Sequence, residues 1–168
     1  MRARLGLVAL ALVLTACGGS TATDAPSDSA NPTESTAVVS KSAFATPIDL
    51  GAGVSITISQ PTGFTPGDFA SNYFPGQTAN VFTIDVKNAG KSALDLSTVL
   101  FTPATGGTSC IDVLDGDNGI VGAPTEPVAA GGAVSFKYAI ACDAKAGAPL
   151  ELGIIFGEVN TTLAGTLA

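Results

Sequence analysis

Several residue types that carry common chemistry are missing from this chain of 168 residues. It contains no His and no Trp, and its single Met is Met1. Histidine is the usual general base and the commonest metal ligand, and Met is a soft metal ligand, so most familiar catalytic and metal chemistries are excluded. Because there is also no Ser-x-x-Lys motif, the many Ser and Thr hydroxyls lack an evident activating base. We therefore expect no enzymatic activity and no cofactor.

Basic residues are scarce as well. Seven Lys and Arg face fourteen Asp and Glu, which gives a net charge of −7. Nucleic acids and anionic membrane surfaces bind clusters of Lys and Arg. The charge therefore argues against a nucleic-acid partner and indicates a soluble, acidic surface.

The N-terminal residues have the form of a bacterial lipoprotein signal peptide. Arg2 and Arg4 precede an apolar run at residues 5–14, and Ala16 leads into Cys17. The run has about ten residues, half of the roughly 20 that span a bilayer. We expect cleavage before Cys17, a diacylglycerol with acyl chains such as palmitate on its thiol, a mature net charge of −9, and anchoring to the outer face of the cell membrane. The alternative is a secreted protein in which Cys17 is incidental.

The next segment differs in composition. Residues 17–45 are rich in Ser, Thr, Ala, Pro and Gly and contain almost no large apolar side chains. Such a segment cannot bury enough surface to offset the entropy of ordering it. The sequence therefore predicts three regions, a signal peptide at 1–16, a disordered tether at 17–45 carrying the lipid, and a folded domain at 46–168.

Apolar residues in the folded region recur with a period of two, the pattern of half-buried strands. The clearest runs lie at 54–59, 82–87, 134–142 and 150–156, with turn signals at 88–91, 115–119 and 129–132. Each run has one apolar face, so two sheets must close on each other. About seven short strands in roughly 120 residues predict an all-β fold, an immunoglobulin-like antiparallel β-sandwich.

Two cysteines lie inside this domain. Cys142 falls on the apolar face of its strand, and the export signal directs the chain to a compartment where disulfides persist. We expect a structural disulfide between Cys110 and Cys142. The alternative, two redox-active thiols, lacks a Cys-x-x-Cys spacing and a basic neighbour.

The order of motifs in the folded region resembles that of a known protein family. The strand VSITIS is followed by Gln60-Pro61, the strand NVFTIDVKNAGKSALDLS, a cysteine, an Ala-Ala-Gly-Gly turn and the strand VSFKYAI. Together they look like the immunoglobulin-like domain of actinobacterial envelope lipoproteins, which is similar to a secreted mycobacterial immunoprotective antigen. The resemblance covers residues 46–156, with its best marker at 81–88. It implies a structural Asn-x-Gly turn and no catalytic residues.

An acidic stretch is a candidate calcium site. Asp112, Asp115 and Asp117 supply carboxylates beside a Gly-bearing loop, the type of ligand that hard cations prefer. The spacing departs from the EF-hand pattern, because Ile120 stands where that loop requires glycine. Asp-Gly and Asn-Gly steps also occur in ordinary tight turns, so a solvated turn is the alternative.

The segment from Gln60 to Gln77, which we call the aromatic loop, is the candidate binding surface. It contains four of the ten Phe and Tyr residues of the chain: Phe64, Phe69, Tyr73 and Phe74. Loop aromatics often anchor protein contacts. The alternative is that the loop covers the open end of the sandwich and inserts its rings into the core.

Three functional hypotheses follow. The first is a non-enzymatic, lipid-anchored envelope protein that binds an envelope protein or glycan through its sandwich. The second is a structural or accessory subunit of an envelope complex, joined by strand addition at a sheet edge. The third is a hydrolase with two carboxylates facing each other across a cleft. An exposed aromatic patch favours the first hypothesis, and a long unprotected edge strand favours the second.

Overall fold

The computed structural model describes residues 40–168, which form an all-β structure. In chain order the strands are β1 (Ser40–Ala43), β2 (Ile48–Gly51), β3 (Val54–Ile58), β4 (Thr62–Gly63), β5 (Thr78–Asn88), β6 (Leu100–Thr105), β7 (Thr108–Ser109), β8 (Ile111–Val113), β9 (Ala133–Cys142), β10 (Pro149–Phe156) and β11 (Val159–Thr166). Short 3-10 turns lie at Leu96–Thr98 and Gly116–Asn118. Between residues 40 and 168, no helix has the length and apolarity needed to cross a membrane.

The strands form two sheets. The first sheet has the order β2-β3-β5-β9-β8, with β4 paired to β5, and the second has the order β1-β11-β10-β6-β7. All neighbours are antiparallel except β1 and β11, which are parallel. The order β3-β5-β9-β8 opposite β11-β10-β6-β7 matches strands A-B-E-D opposite G-F-C-C′ of an immunoglobulin domain. The predicted all-β sandwich is confirmed.

Seven of the eleven strands occupy the A to G positions, and the other four, β1, β2, β4 and β7, are two to four residues long. These short strands explain why the alternation indicated about seven strands. Two to four residues give too little apolar alternation to be recognised in a sequence.

The predicted boundary between tether and domain, at residues 45 and 46, is wrong. β1 lies before it and pairs with β11 in the register Ser40 to Thr161, where the two side-chain hydroxyls are 2.7 Å apart. Phe44, which follows β1, is only 4% exposed and stacks on Phe82, with ring centroids 5.7 Å apart. The sequence Ser-Lys-Ser-Ala has no apolar alternation, so it carried no strand signal.

The inter-sheet core lies between the inward faces of the two sheets. The expected period of two is observed, because Ile56, Phe82, Ile84, Leu152 and Ile154 are all buried while their sequence neighbours on the strands are more exposed. Burying a side chain of this size contributes about 1.5 to 3 kcal/mol. This core therefore supplies most of the hydrophobic stabilisation of the sandwich.

The expected disulfide is present. Cys110, just before β8, is bonded to Cys142 at the end of β9, and both residues belong to the inter-sheet core. The bond joins positions 32 residues apart, for which the chain-entropy model gives a stabilisation of roughly 3 to 4 kcal/mol.

The Asn-x-Gly turn after β5 is held by a buried side chain. The amide nitrogen of Asn88 donates to the carbonyl oxygens of Ser92 and Val128, at 2.8 and 2.9 Å, and its Oδ1 accepts from the N–H of Gly90. A Cβ on Gly90 would lie 2.5 Å from the carbonyl oxygen of Ala52, so only glycine fits there. The Asn-x-Gly sequence thus marks the place where Asn88 links the turn after β5 to the loop that precedes β9.

Candidate functional site

The aromatic loop lies over the outer face of the first sheet. Beneath it is a second cluster of buried residues, which we call the outer core: Val113, Ile120, Ala139 and Ala141. Ala139 and Ala141 are on β9 and face away from the inter-sheet core. Because their side chains are small, the loop can approach the sheet closely enough to exclude water from this face.

The four aromatic side chains of the loop divide into two pairs. Phe64 and Tyr73 are half-buried and pack against the outer core. Phe69 is 88% exposed and Phe74 is 62% exposed. Phe64 and Tyr73 are thus tucked in, although they cover a sheet face and not the open end of the sandwich, and the binding role of the exposed rings stays a prediction.

One end of the loop is fastened by Asp115, which lies in the turn after β8. Its Oδ2 accepts hydrogen bonds from the N–H of Gly67 at 2.8 Å and from the side-chain amide of Asn118 at 2.7 Å. The hydrogen bond from Gly67, followed by that from Asn118, lowers the pKa of the Asp115 carboxyl. Donors that favour the charged form act in this direction. The ionised carboxylate therefore joins the loop to the turn.

The loop is fastened again a few residues later. The N–H of Ser71 donates to the carbonyl oxygen of Leu114 at 2.8 Å, and the side-chain amide of Asn72 donates to the carbonyl oxygen of Asp112 at 3.1 Å. Between these points the N–H of Ala70 donates to the carbonyl oxygen of Gly67 and closes a tight turn. Phe69 is thus presented to solvent on a turn held at both ends.

The three carboxylates proposed as a calcium site do not form one. No group of three or more His, Cys, Asp or Glu residues within the described chain could hold a metal ion. Asp112 lies on β8 and accepts a hydrogen bond from the hydroxyl of Tyr138, while Asp115 is occupied by Gly67 and Asn118. The Asp-Gly and Asn-Gly steps build a 3-10 turn, in which Asp115 is buried and not solvated.

Three cavities lie near β6 and β9, and the first of them also borders Glu151 and Gly153 on the outward side of β10. A cavity of about 680 Å³ and one of about 210 Å³ both include Phe101 and Asp112 in their linings. The smaller cavity shares Phe136 and Lys137 with a third, of about 470 Å³. We call the surface lined by these three cavities the open flank.

Two carboxylates line the first of these cavities, those of Asp112 and Glu151. Asp112 is committed to the hydroxyl of Tyr138. Burial, aided by the neighbouring Asp112 carboxylate, raises the pKa of that hydroxyl far above its usual value, so Tyr138 stays protonated. The hydrogen bond from the Tyr138 hydroxyl to the Asp112 carboxylate therefore links β9 to β8.

The outermost strands of both sheets are short. β7 and β8 have two and three residues, and β1 and β2 have four each. β2 also carries a register shift between Asp49 and Gly51. The outermost strands thus offer little length for pairing with another chain, and sequence reasoning had no means of showing this.

The signal peptide, Cys17 and the tether up to residue 39 lie outside the described residues. The lipidation site therefore stays a prediction from the sequence.

The order of the strands and the loop on the outer face define the class of the folded region, an immunoglobulin-like β-sandwich. No protein-family model and no curated protein matches the chain. Two solved structures are similar to it in fold. The first is ycdA, a lipoprotein candidate from Bacillus subtilis, with a TM-score of 0.55 and 18% identity over 69% of this chain and 37% of that protein. This chain therefore spans little more than a third of the length of ycdA.

The second structure is an uncharacterized β-sandwich protein from Clostridium difficile. Its TM-score is also 0.55, with 13% identity over 80% of this chain and 99% of that protein. At such identities the likeness shows the fold alone. The fold is thus similar to that of a lipoprotein candidate and of an uncharacterized β-sandwich protein.

Proposed function

We propose that this protein is a non-enzymatic lipoprotein, anchored to the outer face of the cell membrane through Cys17, whose sandwich binds a protein or a glycan of the envelope. The cleavage box before Cys17 and the likeness to a lipoprotein candidate support the anchor. The motif order supports membership of the actinobacterial lipoprotein group with an immunoglobulin-like domain. The lack of His supports a binding role over catalysis.

The observation that carries the binding role is the presentation of Phe69. The ring of Phe69 is 88% exposed, which is unfavourable in water, and it stands on a turn whose two ends are hydrogen-bonded to Asp115 and Leu114. Exposed aromatics on such surfaces are typical anchors of recognition. Because the turn is already ordered, this chain loses little conformational entropy when a partner binds there.

The anchor is tested by replacing the lipidated cysteine. Cys17→Ala removes the thiol, so we expect the protein to leave the membrane fraction or to stall before processing. Intact-mass spectrometry of the detergent-extracted wild type should give residues 17–168 plus acyl chains. Unchanged membrane fractionation of Cys17→Ala would contradict the anchor.

The binding role is tested in the native cell by placing a photo-crosslinking amino acid at position 69. We expect one discrete crosslinked product, and the same product from position 74. The matched control is position 158, where Glu158 is exposed in the turn between β10 and β11, away from the aromatic loop in the strand order. No product at position 69, or equal products at all three positions, would refute recognition by the loop.

A further inference from the structure

β9 is unequally paired on its two sides. Toward β5 it is paired along its whole length, from Ala133 to Cys142. Toward β8 it is paired only at residues 139–141, because β8 ends at Val113. The first half of β9, residues 133–137, therefore has an open edge inside the open flank.

The register identifies the backbone groups on that edge. The N–H of Asn88 donates to the carbonyl oxygen of Gly132, so even-numbered residues of β5 point their backbone groups toward β9. In an antiparallel ladder every second facing pair exchanges both hydrogen bonds, and the residues between these pairs direct their backbone groups away from the partner strand. Ala133, Ser135 and Lys137 therefore direct both N–H and C=O outward. Between residues 40 and 168, none of these six groups has a backbone partner.

The segment that passes this edge leaves space beside it. Residues 121–127 include two prolines and make no backbone hydrogen bond within the described chain. The cavity of about 470 Å³ lies between this segment and residues 135–137 of β9. The neighbouring cavity of about 210 Å³, which shares Phe136 with it, is walled by apolar side chains that include Phe101 and Ile120.

We infer that residues 133–137 of β9 form a strand-addition site that binds an extended segment of a partner protein. Donors and acceptors alternating at every second residue match only another extended strand. On the side of the site that faces the gap between the sheets, the partner segment should place an apolar side chain beside Phe136. On the outer side, an acidic side chain of the partner suits Lys137. This inference rests on the proposed binding role and specifies its partner as a protein.

The test uses a defined probe with the full folded domain. A soluble, acetylated and amidated seven-residue peptide of alternating Val and Thr, with one Glu, is titrated into isotope-labelled protein. We expect slower amide exchange at Ser135 and Lys137 and no change at Phe136, whose N–H is already bonded to β5. The control peptide is N-methylated at alternate residues, which removes the donors that would face β9, and it should not protect these amides.

A pair of variants at one position sharpens the test. Ser135→Pro removes an N–H that has no partner within the described chain, so we expect the sandwich to fold and peptide affinity to fall about tenfold. Ser135→Ala keeps the N–H and should bind as the wild type does. Equal affinity of the two variants would overturn the proposal.

Three other outcomes would also overturn it. They are no protection at millimolar peptide, protection at β6 in place of β9, and protection of Ser135 by self-association in the absence of peptide. The last outcome would assign the edge to a second copy of this chain. If the peptide protects Ser135 while position 69 gives no crosslink, the strand-addition site is supported and recognition through Phe69 is refuted. If position 69 gives a crosslink while the peptide does not protect Ser135, only the strand-addition site is refuted.

Discussion

The inter-sheet core and the outer core lie on opposite faces of the same strand, β9, and they are built from different residues. Tyr138 and Ile140 point inward, where large side chains from both sheets meet them. Ala139 and Ala141 point outward, where a loop held by hydrogen bonds covers them. The comparison shows that one strand can contribute to the main core of the domain on one face and support an ordered loop on the other.

The two regions should also differ in stability. The inter-sheet core includes more than twenty buried residues and a disulfide, whereas the outer core has four buried residues and is covered largely by the aromatic loop. Regions with few buried apolar contacts open locally before the whole domain unfolds. We therefore expect the aromatic loop to open without loss of the sandwich.

The largest effect is expected from a cavity in the inter-sheet core. Leu152 is fully buried, so Leu152→Ala should lower the free energy of unfolding by about 2 to 5 kcal/mol, measured by denaturant titration. The control is Leu100→Ala, because Leu100 is 56% exposed and its loss should change stability by less than about 0.5 kcal/mol. Equal effects would contradict the assignment of the core.

Loss of the disulfide should come next. Replacing Cys110 and Cys142 together by Ala removes the crosslink and keeps both sites apolar. We expect a loss of roughly 3 to 4 kcal/mol, seen as a lower melting temperature that reductant no longer changes. If the wild type melts at the same temperature with and without reductant, the bond contributes nothing to the inter-sheet core.

A smaller effect is expected in the outer core. Ala139→Leu inserts a larger side chain beneath the aromatic loop and should lower stability by about 1 to 3 kcal/mol while speeding amide exchange at Gly67. The matched control is Ala133→Leu, at an exposed position on the same face of β9. Unchanged exchange at Gly67 in Ala139→Leu would show that the loop does not depend on close approach to this face.

The smallest effect is a pH-dependent opening of the loop. Because the folded-state pKa of Asp115 is lowered, its carboxylate stabilises the fastened loop at pH values above about 4, and this contribution is lost as the pH falls through the folded-state pKa. The protection factor of the Gly67 amide, its exchange rate relative to an unfolded chain at the same pH, should fall over that acidic range. In Asp115→Asn the exchange should be fast already at neutral pH, whereas Asp68→Asn, on the same loop, should behave as the wild type does.

The inter-sheet core could be predicted from the sequence because apolar alternation at residues such as Ile84 and Leu152 reports burial directly. The disulfide followed from the position of Cys142 on the apolar face. β1 could not be predicted, because its strand is specified by pairing with β11 and not by its own side chains.

The division of the aromatic loop was also beyond the sequence. Ala139 and Ala141 look like ordinary outward positions of a strand, and only the fold shows that they leave room for Phe64 and Tyr73. In the sequence, Asp115 looks like an ordinary turn residue. Its contact with Gly67 could not be predicted, because it joins positions 48 residues apart. Long-range hydrogen bonds of this kind leave no periodic signal.

The most direct test of the account is amide exchange, followed residue by residue, at Gly67 and Ser71 in the loop and at Ile140 in the middle of β9. We predict that all three amides are protected, that the two loop amides open at a lower free energy than Ile140, and that Asp115→Asn lowers protection in the loop alone. Exchange of Gly67 at the rate of an unfolded chain, or opening of the loop only together with Ile140, would contradict a separately fastened loop that presents Phe69.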